Sequence, residues 1–282
     1  MENTNLLLHF VSDPSGNNAG LDFTVTLVPH ELTLANDDST KPEGSKNADI
    51  ISDAAEKHKV CNVTLSNRTL LKDGNWNTLC LPFDVTIAAS PLAGDNVEAK
   101  VFDNTSSLSD TGELTLKFTA APATIPAGTP FIIKWDNTGV NLETPVFNGV
   151  IISSTAALEI ESTDGNVRFT GQYSPFCITD ENINEILYIA SGNKIGYSSK
   201  VRTLKSCRAH FWVKPNGTQQ AARIINIDFG DGETTSLGEV LRVESEDFAT
   251  DSEWYTLDGR KLDKQPIAKG VYIHNGRKTV IK

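Results

Sequence analysis

Leu114-Thr-Leu-Lys-Phe118 decides the fold class, because apolar and polar side chains alternate along this stretch. Successive side chains of an extended chain point to opposite faces, so the alternation predicts a strand with one face on a core and the other in water. The same pattern recurs at Leu21–Val28, Val167–Gly171, His210–Lys214 and Ile225–Phe229.

Turn dipeptides separate these runs and support the same conclusion. We expect Gly74 and Gly165 to take positive φ in the turns that Asp73 and Asp164 begin. Short strands that alternate with turns are typical of all-β proteins. We therefore predict an all-β fold, an antiparallel β-sandwich of the Greek-key or jelly-roll kind with a small C-terminal β segment.

Helix is scarce, and the best candidate is Asp49–Lys57 with Asn47 as its N-cap. Two polar stretches, 36–47 and 244–253, carry turn formers or acidic residues and predict exposed connections. They suggest three parts: N-terminal strands with a polar linker (1–47), a main β-sandwich domain (48–243) and a short C-terminal β segment (244–282).

The composition excludes several classes of function. The 25 lysines and arginines against 36 acidic residues give a formal net charge of −11 at pH 7, which disfavours a nucleic-acid surface. No apolar run approaches the ~20 residues that span a bilayer, so we expect no membrane span. The first residues lack the basic region of a signal peptide, and Leu6–Leu8 is too short for its apolar region.

The motif search assigns no catalytic residue. The histidines have no partner at metal-ligand spacing, and the chain carries no G-x-S-x-G elbow or P-loop. His210 lies in an alternating run, which places it on the solvent face of a strand. The thiols of Cys61, Cys80, Cys177 and Cys207 are free and half-buried or joined in one of three pairings.

Two groups of residues are candidates for ligands. Asp228, Asp231 and Glu233 surround a glycine-rich turn, where they form either a calcium site or a solvated strand end. Calcium is the single cofactor that the sequence suggests. Trp76, Trp135 and Trp212 are either sugar-stacking platforms or core residues.

One block, Val63–Phe83, reads R-T-L…D-G-N-W-N-T-L-C-L-P-F and resembles a block of exported cell-surface β-module proteins of Bacteroidales-type bacteria. Further blocks that resemble this group follow in order, at Thr124–Lys134, Pro145–Phe147, Val167–Pro175 and Arg208–Phe211. Within them, Arg68 and Arg208 are either buried arginines that join strands or ligand-binding groups. The resemblance implies export to the cell surface or the extracellular space.

The C-terminal residues 254–282 resemble the sorting tail of type IX secretion cargo, through Trp254–Leu262, Pro266–Ile273 and Arg277–Lys282. If these residues are not a sorting tail, their sequence predicts two hairpins that turn at Asp258-Gly259 and Asn275-Gly276.

We therefore expect a non-catalytic secreted or surface-associated protein, an adhesin-like or scaffold module whose partner is a host protein or a glycan. The alternative is a carbohydrate-active enzyme or its accessory carbohydrate-binding module. The enzyme needs two carboxylates about 5–10 Å apart in a cleft, whereas the binder needs a face with outward aromatic rings.

Overall fold

The computed structural model describes residues 28–36, 46–57, 60–136, 140–213, 222–230, 234–239, 241–243, 254–256, 261–262, 269–274 and 277–281. Within these ranges the protein is mostly β-strand, with the single α-helix α1 at Lys46–Glu56. The all-β prediction is confirmed.

The strands lie in chain order as follows. They are β1 His30–Ala35, β2 Val60–Ser66, β3 Thr69–Leu70, β4 Asn77–Leu79, β5 Val85–Thr86, β6 Glu98–Phe102, β7 Ser107–Leu108, β8 Glu113–Ala120, β9 Thr124–Ile125, β10 Phe131–Lys134, β11 Leu142–Glu143, β12 Val146–Ile151, β13 Glu159–Glu161, β14 Val167–Gln172, β15 Phe176–Ile178, β16 Ile186–Ala190, β17 Lys194–Ser198, β18 Arg202–Leu204, β19 Arg208–Val213, β20 Ile224–Asp228, β21 Thr234–Glu239, β22 Leu241–Val243, β23 Trp254–Thr256, β24 Lys261–Leu262, β25 Gly270–His274 and β26 Arg277–Ile281.

Two large sheets form the sandwich. One has the order β21-β20-β8-β6-β10-β4, with β7 also paired to β8, and the other has the order β13-β14-β19-β16-β17-β22. Their inner faces share one core, in which Phe169 stacks on Phe211 with ring centroids 4.7 Å apart. Phe118 meets both rings edge-on, as aromatic pairs prefer.

A second core lies on the other face of β10. It is enclosed by α1 and by the three-stranded sheet β1-β2-β12. Phe131 and Ile133 point into this core, whereas Ile132 points into the sandwich core, and all three are fully buried. Strand β10 therefore belongs to both cores, which is why its sequence is apolar without alternation.

Most strand pairs are antiparallel, as predicted, but three pairs are parallel. These are β1 with β2, β8 with β20, and β17 with β22. The predicted strands at 114–118, 167–171 and 225–228 are confirmed within β8, β14 and β20, and 210–213 within β19. Leu21–Leu27, the rest of the predicted N-terminal strand, lies outside the described residues.

The prediction that Asn47 caps the helix is wrong. The helix begins at Lys46, and Asn47 is fully buried. Its side chain accepts a hydrogen bond from the Ala35 N–H and donates to the Ala35 and Tyr173 carbonyls. Asn36 is buried as well, so both ends of the predicted linker pack against the body, while residues 37–45 lie outside the described ranges.

The C-terminal strands form a four-stranded sheet in the order β24-β23-β25-β26. The pairs β23–β24 and β25–β26 are antiparallel, as the two predicted hairpins require. Their turn dipeptides and the acidic stretch 244–253 lie outside the described residues. No helix in the described part of the chain is long and apolar enough to cross a membrane.

Candidate functional site

Two of the candidate tryptophans lie inside the body. Trp135 is 2% exposed, and its indole N–H donates to the Leu92 carbonyl at 2.8 Å. Trp76 is 8% exposed and stacks on Phe229 with ring centroids 5.0 Å apart. Neither ring offers a free face to a sugar: Trp135 is buried in the core next to α1, and Trp76 lies between Phe229 and the Lys134 ammonium, which is 4.8 Å from its ring centre.

Trp212 is half-buried on the outer face of the six-stranded sheet. The Arg168 guanidinium lies 5.4 Å from the centre of its ring, in a cation–π arrangement. Arg168 in turn pairs with Glu159 at 2.9 Å and Glu161 at 3.8 Å. One side of Trp212 is thus covered, and the ring is far from a flat open platform. The Trp254 side chain lies outside the described ones.

Both candidate arginines are buried, and this geometry supports their interpretation as structural groups. Arg208 is 2% exposed and donates to the Asn36 side-chain oxygen at 2.6 Å and to the Ser206 carbonyl at 3.1 Å. Arg68 is 5% exposed and donates to the Thr78 carbonyl at 2.9 Å. The structure does not place either guanidinium on the surface.

The prediction that His210 faces solvent is wrong. The β15–β18 ribbon covers the outer face of its strand, and Phe176 stacks on the imidazole with centroids 4.2 Å apart. Nδ1 lies 2.9 Å from the Gln172 side-chain oxygen. Burial lowers the pKa of His210 to about 3, so the imidazole is neutral at physiological pH.

The acidic turn is described only in part. The Asp228 carboxylate accepts a hydrogen bond from the Gly230 N–H at 2.8 Å, and Gly230 has φ +78°. These features build a tight strand-end turn. Asp231 and Glu233 lie outside the described residues. Within the described part of the chain no three histidine, cysteine or acidic groups are gathered as metal ligands require.

No disulfide joins any two of the four cysteines. Cys61, Cys80 and Cys207 are buried, and Cys177 is partly exposed. Burial raises the pKa of Cys207 to about 11 and raises that of Cys80 further. Both groups therefore stay protonated at neutral pH and are poor nucleophiles.

A cleft of about 650 Å³ lies beside the helix, and we call it the helix cleft. It lies between α1 and the two segments 154–156 and 173–174. Ala48, Ser52 and Glu56 recur every four residues, so one face of α1 forms a wall. The lining residues are Ala48, Ile51, Ser52, Ala55, Glu56, Ser154, Thr155, Ala156, Tyr173 and Ser174.

Hydrogen bonds fix the positions of the segments that line the helix cleft. Asn47 ties α1 to β1 and to the Tyr173 backbone through the bonds described above. The Tyr173 hydroxyl donates to the Thr155 carbonyl at 3.0 Å, which joins the two non-helical segments. Gly128 lies under the same loop with φ +82°, and a Cβ there would meet the Ala156 carbonyl at 2.6 Å.

The chemistry of the helix cleft is that of a neutral polar site. Its polar groups are four Ser and Thr hydroxyls, the Tyr173 phenol and one carboxylate, Glu56, without a lysine or arginine in the wall. Burial raises the pKa of Tyr173, so its hydroxyl remains a hydrogen-bond donor. Hydroxyls donate and accept, and small apolar side chains between them leave room for a ring.

A second groove of about 550 Å³ runs along residues 86–100 and 120–123. Alanines dominate its wall, and Glu98 is its single carboxylate. Neither concavity therefore holds two lining carboxylates.

The sequence did not point to the helix cleft. Its lining comes from three separate segments of the chain, 48–56, 154–156 and 173–174, and none of them carries a recognisable sequence motif. Ser52 and Glu56 lie within the predicted helix Asp49–Lys57, whereas Ala48 lies just before it. A comparison of the chain with protein-family models, with curated proteins and with solved structures finds no match.

Proposed function

We propose that the protein is a non-catalytic binding module, and that the helix cleft holds an uncharged, hydroxyl-rich ligand such as a glycan. The observation that carries the proposal is the wall of four hydroxyls, one phenol and one carboxylate around a volume of about 650 Å³. Ligand pockets commonly fall within this range of size.

Charge favours a neutral ligand over an anion. With Glu56 as the single charged lining residue, an acidic ligand meets repulsion and no guanidinium or ammonium group. A sugar hydroxyl can donate to Glu56, while Ser52 and Ser154 accept or donate as the ligand demands. The Tyr173 ring adds an apolar surface at the same wall.

A binding role fits the cleft better than glycoside hydrolysis does. Hydrolysis uses two carboxyl groups about 5–10 Å apart on either side of the scissile bond. The helix cleft supplies only Glu56 from its wall, and one carboxylate suffices to orient a ligand.

We also propose that the protein is exported and displayed at the cell surface, as an adhesin-like or scaffold module. This part rests on the sequence blocks around Val63–Phe83 and on the C-terminal pattern from Trp254. The net charge of −11 suits a soluble extracellular surface.

A glycan array with three versions of the chain tests the binding proposal. Ser52→Trp places an indole in the helix cleft, whereas Asp53→Trp places it on the exposed side of α1, next to Lys57. We expect the wild type and Asp53→Trp to bind one class of sugar and Ser52→Trp to bind it at least about tenfold more weakly. Circular dichroism checks that all three versions fold.

Two results contradict the proposal. A blank array for the wild type removes the glycan as ligand, and equal binding by Ser52→Trp moves the ligand away from the helix cleft. Repeating the array after chelation tests the calcium prediction, because binding that survives chelation gives Asp228, Asp231 and Glu233 no part in it as metal ligands.

A further inference from the structure

The β15–β18 ribbon is a two-stranded sheet of its own on the outer face of the six-stranded sheet. Its strands pair with each other, Phe176 with Leu204 and Ile178 with Arg202, and with no other strand among the described residues. Ile178 and Leu204 pack with Tyr188 of β16 in a third, small core. The ribbon can therefore leave the sheet without breaking a backbone ladder of the body.

Gln172 of β14 links the ribbon to the imidazole of His210. Its amide nitrogen donates to the Leu204 carbonyl at 3.2 Å and to the Lys205 carbonyl at 2.8 Å. Its amide oxygen lies 2.9 Å from Nδ1 of His210 and can only accept there. Nδ1 therefore carries the proton of the neutral imidazole, and Nε2 keeps a free lone pair.

The second ring nitrogen of His210 has no partner. Nε2 is fully buried and makes no hydrogen bond. Thr170 lies opposite His210 in the pair of β14 with β19, and its hydroxyl oxygen is buried without a partner too. Because Nδ1 already carries a proton, a further proton in acid binds at Nε2 and places a positive charge under the ribbon.

The groups around His210 on the covered face include cations. Arg202 of the ribbon points at the sheet, and its guanidinium lies 5.4 Å from the centre of the Tyr188 ring. Burial raises the pKa of Tyr188, so the phenol is neutral. Lys205 follows the ribbon in the chain, and Arg208 lies two residues before His210 on the same face of β19. These cations disfavour a further positive charge.

The acidic groups of the neighbouring elements do not neutralise that charge. Glu159 of β13 lies opposite Thr170, but its side chain is 51% exposed and pairs with Arg168 at 2.9 Å. The other acidic groups on the elements around the ribbon are exposed or half-buried: Cys177, Asp180, Glu181 and Glu185. The Phe176 ring attracts a cation above its face, but this attraction is small beside the cost of burying an unpaired charge.

We propose that the β15–β18 ribbon is an acid-released flap, which leaves the outer face of the six-stranded sheet when a proton binds Nε2 of His210. Opening lets the imidazolium reach water and breaks the two bonds from Gln172 to the ribbon. The two large cores stay closed, because the apolar residues of the ribbon belong to the third core. The open flap presents an apolar surface that is hidden at neutral pH.

The pH range follows from the two states of the imidazole. Under the flap its pKa is about 3, and in water it has the ordinary value of 6.5. The closed flap is therefore fully favoured above about pH 6.5 and loses this advantage as the pH falls towards 3. At pH 4.5 the ratio of open to closed flap should be about a hundredfold higher than at pH 7.5.

Hydrogen exchange of the full chain, read by mass spectrometry and corrected for intrinsic rates, tests the proposal. We expect exchange in peptides that contain 176–178 and 202–204 to rise about a hundredfold from pH 7.5 to pH 4.5. Local opening exposes little surface, so this exchange should not respond to urea below the unfolding midpoint. Exchange in 114–118 of β8 should be slower at both pH values and should rise with urea, because it needs global unfolding.

Two variants assign the effect to His210. His30→Gln should keep the wild-type rise in the ribbon, whereas the ribbon of His210→Gln should change by less than about threefold. Ribbon exchange that matches β8 in rate and urea dependence overturns the proposal, because the ribbon then opens only with the whole body. An unchanged ribbon in the wild type, or a wild-type rise in His210→Gln, overturns it too.

Discussion

The Arg208 side chain links segments that lie far apart in the chain, so we expect its removal to lower the stability of the fold. Arg208→Ala leaves the Asn36 oxygen and the Ser206 carbonyl without this donor inside the body. We expect the free energy of unfolding to fall by about 2–4 kcal/mol, because buried polar atoms lose their partner and a cavity remains. Urea denaturation measures the loss.

The matched control for Arg208→Ala is Arg168→Ala. Arg168 is 29% exposed and pairs with Glu159 and Glu161 near the surface. Exposed ion pairs contribute about 0–1 kcal/mol, so this variant should lose far less stability. Equal losses in the two variants contradict the structural role of Arg208.

His210 should make the protein sensitive to acid. Its pKa is about 3 in the folded chain against 6.5 as the ordinary value, so the unfolded chain binds a proton that the folded chain refuses. Stability is therefore complete above about pH 6.5 and falls as pH drops towards 3, by a few kcal/mol in all. His210→Gln should lose much of this dependence between about pH 7 and pH 4.5.

The comparison for His210→Gln is His30→Gln, because His30 is exposed at the start of β1. Unfolding free energies at the two pH values should show the wild-type slope in His30→Gln and a shallower slope in His210→Gln. An unchanged slope in His210→Gln means that the imidazole is not held neutral by burial.

The sequence predicted the environment of some single residues but not of others. Arg208 stood out as a charged residue within the blocks that carry the family resemblance, and in the structure its guanidinium donates to the Asn36 side-chain oxygen. His210 could not be placed, because alternation tells which residues share a face but not what covers that face. The β15–β18 ribbon that covers His210 pairs residues from distant positions.

At the scale of elements, the loop under the helix cleft depends on a glycine. Gly128 and Gly74 both have φ +82°, but a Cβ at Gly128 meets the Ala156 carbonyl at 2.6 Å, whereas one at Gly74 meets nothing within 4 Å. Gly74→Ala should cost about 1–2 kcal/mol from backbone strain alone. Gly128→Ala should cost more, about 3 kcal/mol or above, because strain and a backbone clash add.

Chemical denaturation of the two alanine variants tests this difference. Gly128→Ala should also weaken any ligand binding in the helix cleft, since Ala156 lines it, while Gly74→Ala leaves binding intact. Equal destabilisation of the two variants contradicts the close contact at Gly128.

Elements were predictable where local physics decides them. Leu114, Leu116 and Phe118 are buried as their alternation predicts. The helix was predicted, but its predicted start, Asp49, lies after the observed start, Lys46. The Asn47 side chain, which was expected to cap the helix, is hydrogen-bonded to Ala35 of β1. The helix cleft was not predictable, since its walls meet only after the tertiary fold forms.

At the scale of the whole molecule, β10 makes the two cores one cooperative unit. Ile132 and Ile133 lie on opposite faces of the strand and belong to different cores. When either core opens, β10 loses the packing on one face, and the other core then packs against a less well supported strand. We therefore expect the main body to unfold in one transition.

Two tryptophans report on the two cores separately. Trp135 lies in the core next to α1, and Trp76 lies in the sandwich core. In variants that keep only Trp76 or only Trp135, with the other three of the four tryptophans replaced by phenylalanine, the fluorescence should follow the same urea midpoint as circular dichroism. Two separated midpoints contradict the cooperative unit.

The class of the fold could be predicted from the sequence, but the pairing of its strands could not. Period-two alternation is the same for a strand in a parallel or an antiparallel pair. Nothing in Ile224–Asp228 indicates that it lies parallel to Glu113–Lys117.

The parallel pairing of β8 with β20 affects when their sheet can form as the chain is made. Synthesis or transport that presents the N-terminus first delivers β8 long before its neighbour β20, because Glu113 pairs with Ile224. Contacts between such distant positions form slowly, since a long loop must close first. We expect this sheet to stay incomplete until Asp228 has emerged, and an incompletely folded chain is the state that passage through a narrow translocation channel requires.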